Sequence, residues 1–251
     1  MTTFASMERT GEGWVVIDRD RGVLAREYKF AGSAVANTFV ARMGDGKLAV
    51  ISPGLHMTDE AFAELAAFGE VGALIANNGF HHLGQAAWRQ RFPRARCFAP
   101  ETAIARIQKK SKLPLAFEPL SAFEPGRDLG FREIPNTKIG ESWFWAKADG
   151  GSAWYASDVL ANMPRLPQKP ISQRVIGQLI KWSGSGPGYR VFRLGLKFIV
   201  RDPAATLRLL QEDLVLHPME TMVPAHGDIL QAADLSQRTD QLVADGLRSF
   251  Q

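Results

Sequence analysis

The feature that most constrains this chain is its order of elements: a block of short β runs, then helices, then a second β block followed again by helices. The runs Trp14–Ile17, Val23–Tyr28, Thr38–Arg42 and Leu48–Ser52 are rich in β-branched and aromatic residues and are separated by Gly or Asp/Arg turns. Thr58 then offers a side-chain oxygen to a helix start, Asp59 and Glu60 suit the positive end of the helix dipole, and Phe62, Leu65 and Phe68 share one face. Val71–Ala76 reads as a buried strand, His82–Arg91 as a helix stopped by Pro93, Arg96–Ala99 as a strand and Thr102–Lys110 as a helix. The second block comprises Leu129–Ile134, Ser142–Ala148 and Ser152–Ala156, with Asp149-Gly150-Gly151 as a hairpin signal. Asp202-Pro203 opens a helix carrying Leu207, Leu210 and Leu214, Thr221–Val223 is strand-like, and Leu235–Leu247 is the last helix. This order predicts a single α/β domain over 1–251, in which two sheets pack face to face with helices outside.

The stretch 166–201 is broken by Pro167, Pro170 and the run from Ser183 to Gly188, and is read as a helical insertion. Within it, 189–201 alternates Arg190, Arg193, Lys197 and Arg201 with apolar residues. That pattern predicts a basic amphipathic surface helix, which also offers an oligomer contact.

Composition removes several functional classes. One cysteine, Cys97, excludes an internal disulfide and a multi-thiolate zinc site; in its apolar context it reads as a buried hydrophobe. No apolar run approaches the roughly 20 residues of a membrane span, and the acidic, glycine-containing N-terminus lacks the pattern of a signal peptide, so the expected location is cytoplasmic. A net charge of +4, from 30 basic and 26 acidic residues, does not call for a nucleic-acid partner; the expected partner is a small-molecule substrate or ligand. Trp143 and Trp145, two apart, point to one sheet face and read as packing. His56 and His217 read as surface and loop residues.

Three segments that each follow a β run carry the remaining chemistry: Asn77-Asn78-Gly79-Phe80-His81-His82-Leu83-Gly84, Ser157-Asp158, and Pro224-Ala225-His226-Gly227-Asp228. They use three of the five histidines. The imidazoles of His81, His82 and His226 with the carboxylate of Asp158 form a nitrogen and oxygen donor set accepted by borderline divalent cations. Each also has an ordinary alternative, as a loop hydrogen-bond former, a turn acceptor or a helix cap.

These loops resemble those of the metallo-β-lactamase-fold superfamily, in a branch with degenerate metal motifs. Aligned on His82-Leu83-Gly84, the first loop has Asn77 and Gly79 at the first two histidine positions, His81 at the aspartate position and His82 at the last histidine. Ile134-Pro135-Asn136-Thr137-Lys138-Ile139-Gly140 is similar to the middle loop, with Thr137 in place of its histidine, while Asp158 and His226 match the remaining positions.

The resemblance implies a four-layer αββα sandwich of two mixed sheets. It also implies the loss of one metal site of the usual pair and the retention of the other, formed by His81, His82, Asp158 and His226. The implied activity is hydrolysis of a small ester, thioester, lactone or phosphoester with one divalent metal, zinc first and iron or manganese as alternatives. Asn77 or Thr137 would position the substrate, and His81 would act as general base if it is not a ligand. The competing expectation is a catalytically silent binding protein that keeps the fold without metal or other cofactor.

Overall fold

The computed structural model describes residues 7–32, 34–111, 116–166 and 171–250, apart from the side chain of Gln173. One sheet of eight strands runs in chain order: β1 (Glu8–Arg9), β2 (Val15–Asp18), β3 (Val23–Ala31), β4 (Ala34–Arg42), β5 (Leu48–Ile51), β6 (Val71–Ile75), β7 (Arg96–Ala99) and β8 (Glu118–Pro119). Its first half is an antiparallel meander; from β5 onward the strands are parallel, because α1 (Asp59–Ala66), α2 (Gln85–Arg91) and α3 (Glu101–Lys110) carry the chain back. The second sheet has the order β15-β14-β11-β10-β9, formed by β9 (Leu129–Glu133), β10 (Ser142–Ala148), β11 (Gly151–Tyr155), β14 (Met219–Val223) and β15 (Leu230–Gln231). The β11/β14 pairing is parallel and the others antiparallel, so both sheets are mixed.

The sheets meet across a core to which β4, β5 and β7 contribute Phe39, Ile51 and Phe98, and β10, β11 and β14 contribute Phe144, Tyr155 and Val223. The rings of Phe39 and Tyr155 stack across this interface with centroids 6.1 Å apart. On the outer face of the larger sheet, Trp14 is buried in one cluster with Leu65 of α1 and Trp88 of α2. The outer face of the second sheet buries Trp143, Trp154 and Met222 beneath α5 (Arg193–Ile199), α6 (Pro203–Leu216) and α7 (Leu235–Arg248). Helix, sheet, sheet and helix layers therefore follow one another, as the order of elements predicts.

Local signals act as expected at several positions. The Thr58 side chain accepts from the Ala61 N–H at 3.1 Å, and Asp202 accepts from the Ala205 N–H at 2.9 Å, capping α1 and α6. Cys97 is buried, and burial pushes its thiol up. Trp143 and Trp145 both pack on the outer face of their sheet, where His217 stacks on Trp145 with ring centroids 4.3 Å apart. His56 is exposed.

The 166–201 region departs from expectation. Its described part begins with α4 (Ile171–Trp182), but 189–201 is not one surface helix. Gly188–Val191 forms β13, which pairs with β12 (Leu160–Met163), a strand the sequence reading passes over. Only Arg193–Ile199 is helical, and Leu196, Ile199 and Val200 are buried in the outer core. Strand pairing and burial of these apolar residues override the helical periodicity. Pro167 and Pro170 lie outside the described residues. Among the described residues, no helix is long and apolar enough to cross a membrane.

Asp213 ties α6 to the second sheet. Its buried carboxylate receives a bidentate pair from Arg132 on β9, and the Trp143 indole N–H on β10 donates to it at 2.9 Å. Asp213→Ala strands both donors and is expected to cost about 2–3 kcal/mol, moderated because Arg132 reaches solvent. Urea denaturation reads the loss; a change within about 0.5 kcal/mol contradicts this role.

Candidate metal centre

The loops that follow β6, β11 and β14 converge at one edge of the two sheets. Parallel β5/β6 and β11/β14 pairings bring the corresponding strand ends to that edge. Hydrogen bonds then join the loops: Ala225 donates its backbone N–H to the Ser157 carbonyl at 3.1 Å, and the Ser142 hydroxyl donates to the Asn77 carbonyl at 2.9 Å. The Asn37 side chain, from β4, donates to the carbonyls of Pro224 at 2.9 Å and Gly227 at 2.8 Å, fixing the turn that carries His226. At the start of α2, Gly84 lies against the Ser52–Gly54 turn: a Cβ there would sit 2.2 Å from the Pro53 carbonyl oxygen. The His81 loop is thus seated where only glycine permits this approach.

At the centre, potential ligand atoms of His81, Asp158 and His226 all lie within 4.8 Å of one another. His81 Nε2 is 3.2 Å from Asp158 Oδ2, and His226 Nε2 is 3.2 Å from Asp158 Oδ1. Each imidazole is held through its other nitrogen, His81 Nδ1 by the Ser52 hydroxyl at 3.0 Å and His226 Nδ1 by the Val35 carbonyl at 3.0 Å. A carbonyl only accepts, so His226 Nδ1 carries hydrogen and, in the neutral ring, Nε2 presents a lone pair toward Asp158.

Burial alone would raise the Asp158 carboxyl, but the imidazoles of His81 and His226 outweigh it and hold the group well below the usual carboxylate range. Burial would lower the His226 imidazole, yet its bond to Asp158, the charge of that carboxylate and the Val35 carbonyl raise it. Asp158 Oδ1 is nevertheless buried without an aligned hydrogen-bond donor, despite the nearby imidazole. A neutral His226 would set lone pair against lone pair there, so this side of the carboxylate calls for a proton or a metal cation. The donor set and the fixed outer nitrogens fit a divalent metal.

His82 lies outside this three-residue group. Its side chain borders the adjoining cavity, and burial, with the charges of His81 and Arg106, pushes its imidazole down to about 4. Of the four donors expected from sequence, those of His81, Asp158 and His226 lie together. Asn77 is fully buried and donates to Ser157 Oγ rather than facing the cavity, and Thr137 bonds Thr102 Oγ1 at 3.1 Å and accepts from the Gly140 N–H. Neither residue, expected from sequence to position a substrate, lines the cavity at the cluster. At Gly79, a Cβ would meet Arg106 Cδ at 2.7 Å and the Ile139 carbonyl at 2.9 Å, leaving no room for a ligating side chain.

No protein-family model matches the chain, and no curated protein matches it in sequence. Solved structures do match. The metallo-β-lactamase DIM-1 exposed to ceftazidime superposes with a TM-score of 0.58 at 9% identity, over 96% of this chain and 100% of that one. FIM-1 from Pseudomonas aeruginosa in its mono-zinc form gives 0.54 at 12% identity, over 97% and 99%. The 1–254 fragment of a diflavin flavoprotein A 5 from Nostoc sp. PCC 7120 gives 0.56 at 12%, over 90% and 91%. The chain has the metallo-β-lactamase fold. At these identities the comparison carries the fold alone.

Within this metallo-β-lactamase fold, sequence reasoning overlooks the residues that hold the ligands in place. Asn78 is the clearest: its Oδ1 accepts from the Phe80 and His81 N–H groups, while its Nδ2 donates to Asp158 at 3.0 Å and Glu141 at 3.3 Å. Glu141 is fully buried, receives Ser157 Oγ and the Ser142 N–H, and is pushed well up by burial and the Asp158 charge. Ser52 and Ser157 adopt left-handed backbone angles, φ 53° and 50°, uncommon for non-glycine residues and frequent at functional sites. The Asn77-Asn78-Gly79 turn composition was visible in sequence, but the partners across the chain were not.

Asn78→Ala is expected to cost about 2–3 kcal/mol by orphaning buried donors and acceptors. Asn78→Asp keeps the acceptor but adds a third carboxylate beside Asp158 and Glu141, so at pH 7 it costs more than alanine. Because the crowding raises the new carboxyl's folded pKa, the penalty shrinks as the pH falls and the group takes a proton. Urea denaturation at pH 7 and pH 5 checks both claims; an aspartate variant as stable as the parent at pH 7 contradicts them.

Proposed function

We propose that this protein is a metal-dependent hydrolase with a single-metal centre held by His81, Asp158 and His226, acting on a small ester, thioester, lactone or phosphoester. The observation that carries the reading is the buried Asp158 Oδ1, which faces an imidazole whose Nδ1–H is committed to Val35. The site has lost the other metal position of the fold: Asn77 is tied to Ser157, Gly79 has no space for a side chain, and Thr137 is occupied by Thr102 and Gly140. Zinc is the first choice for two nitrogens and a carboxylate, with iron or manganese compatible with the same set.

When bound, such a cation polarises a substrate oxygen or lowers the pKa of water. The chain's own residues supply the rest. Ser52 fixes the His81 ring, Val35 fixes the His226 tautomer, and Asn78 orients the Asp158 carboxylate through Oδ2. Hydrolysis adds the hydroxyl of water to the acyl or phosphoryl centre and its hydrogen to the leaving oxygen or sulfur.

Zinc titration of the chelator-treated protein is expected to show one equivalent bound. Asp158→Asn and His226→Ala should each weaken it at least about tenfold, whereas His82→Ala should leave it within about twofold. Metal uptake competes with the proton for His226, whose imidazole is raised by Asp158 and the Val35 carbonyl, so affinity is expected to fall as the pH is lowered. No binding after loading with zinc, iron or manganese would favour a metal-free binding protein; loss of binding in the His82 variant would restore the four-ligand set.

A further inference from the structure

The cavity that opens on His81, Asp158 and His226 has a volume of about 910 Å³, near the upper end for small-molecule sites. Its walls away from the cluster are apolar: Phe30 from β3, Phe192, Leu194 and Phe198 around α5, and Ile176 and Leu179 from α4. A second cavity of about 540 Å³ shares Phe30, Ile176, Phe192 and His226 with the first, so the two adjoin at His226. Several of these walls are left facing solvent, Phe198 being 64% and Leu179 42% exposed. An apolar surface of this kind beside a reactive cluster marks a ligand site rather than an unfilled core.

Outside the cluster, the charged residues lining the first cavity have one sign. Among the described residues lining it, Asp158 is the only acid and belongs to the cluster, whereas Arg106 and Lys110, both on α3, add two cations. Arg106 is placed firmly: its Nε donates to the Gly79 carbonyl at 3.2 Å, and its guanidinium lies 4.8 Å from the Phe80 ring centroid. Its side chain fills the space a residue other than glycine would take at position 79. A fixed cation thus stands beside the loop that presents His81.

We propose that the ligand is a long-chain amphiphile, with an anionic group at Arg106 and Lys110, its polar linkage at the His81–Asp158–His226 cluster, and an alkyl chain against α4 and α5. The inference rests on the proposed site for the placement of the linkage, but the chain and charge preferences belong to the cavity itself. A neutral or cationic chain meets the same apolar wall without the basic partners, and a short polar anion meets the cations without the wall.

Calorimetric titration of the full chain, chelator-treated and zinc-loaded, with hexanoate, octanoate, decanoate and dodecanoate below their micelle concentrations tests this. In both states affinity is expected to rise about fourfold for each added methylene, with dodecanoate preferred over dodecanol and dodecyltrimethylammonium by at least about tenfold. Leu179→Glu and Phe198→Glu, both at partly exposed positions, should each weaken dodecanoate at least about tenfold. Lys110→Gln and Arg106→Gln should erode the preference over dodecanol, and thermal melting confirms that each variant folds. Affinity flat with chain length, or equal for the cationic chain, overturns the proposal even if zinc binds stoichiometrically. A steep series in chelator-treated protein that takes up no metal supports it while removing the hydrolase reading.

Discussion

A carboxylate buried at the seam of two sheets, with an imidazole on each side, is the constraint on which the rest of this structure turns. An ionised Asp158 costs several kcal/mol to bury unless compensated, and its compensation comes from two other loops distant in sequence from its own. Asn78 and His81 arrive after β6, Asp158 after β11, and His226 after β14. Each loop is locked by bonds from another element, including Asn37 to the His226 turn and Ser52 to His81. The scaffold below is stiff enough for this because its inter-sheet core is aromatic and its outer faces are closed by buried tryptophans.

The same economy explains why one side of the site is built and the other is closed. Around Asp158 the outer nitrogen of each imidazole has a fixed partner, which leaves the inner nitrogens to face the carboxylate. Around positions 77, 79 and 137, by contrast, Asn77 donates to Ser157, Thr137 bonds Thr102, and Arg106 fills the space beside Gly79. Arg106 therefore places a fixed positive charge beside the loop that carries His81, and the apolar walls of α4 and α5 lie beside the cluster.

Much of the architecture was legible in the chain because strong local signals agree with burial: alternating β runs, the Thr58 and Asp202 caps, and the apolar faces of α1 and α6. The convergence of the three loops was legible only through the resemblance, since no periodicity in one segment reports contact with another. The pair His81-His82 shows the limit most clearly. Neighbouring residues in a loop face different ways, and the backbone held by Asn78 and Gly84 turns His81 toward Asp158 while His82 stands outside the cluster. Segment 189–201 failed for another reason: its basic and apolar alternation suits a helix, but pairing with Leu160–Met163 claims its first residues for a strand.

The central claim is that Asp158 and its two imidazoles share one cation. Anomalous diffraction from crystals soaked in zinc tests it most directly: the account predicts a single peak bonded to His81 Nε2, Asp158 and His226 Nε2 at about 2 Å each, with His82 unbound. A peak that recruits His82 in place of His81, or density at the cluster explained wholly by a hydrogen-bonded imidazolium under saturating zinc, would contradict it.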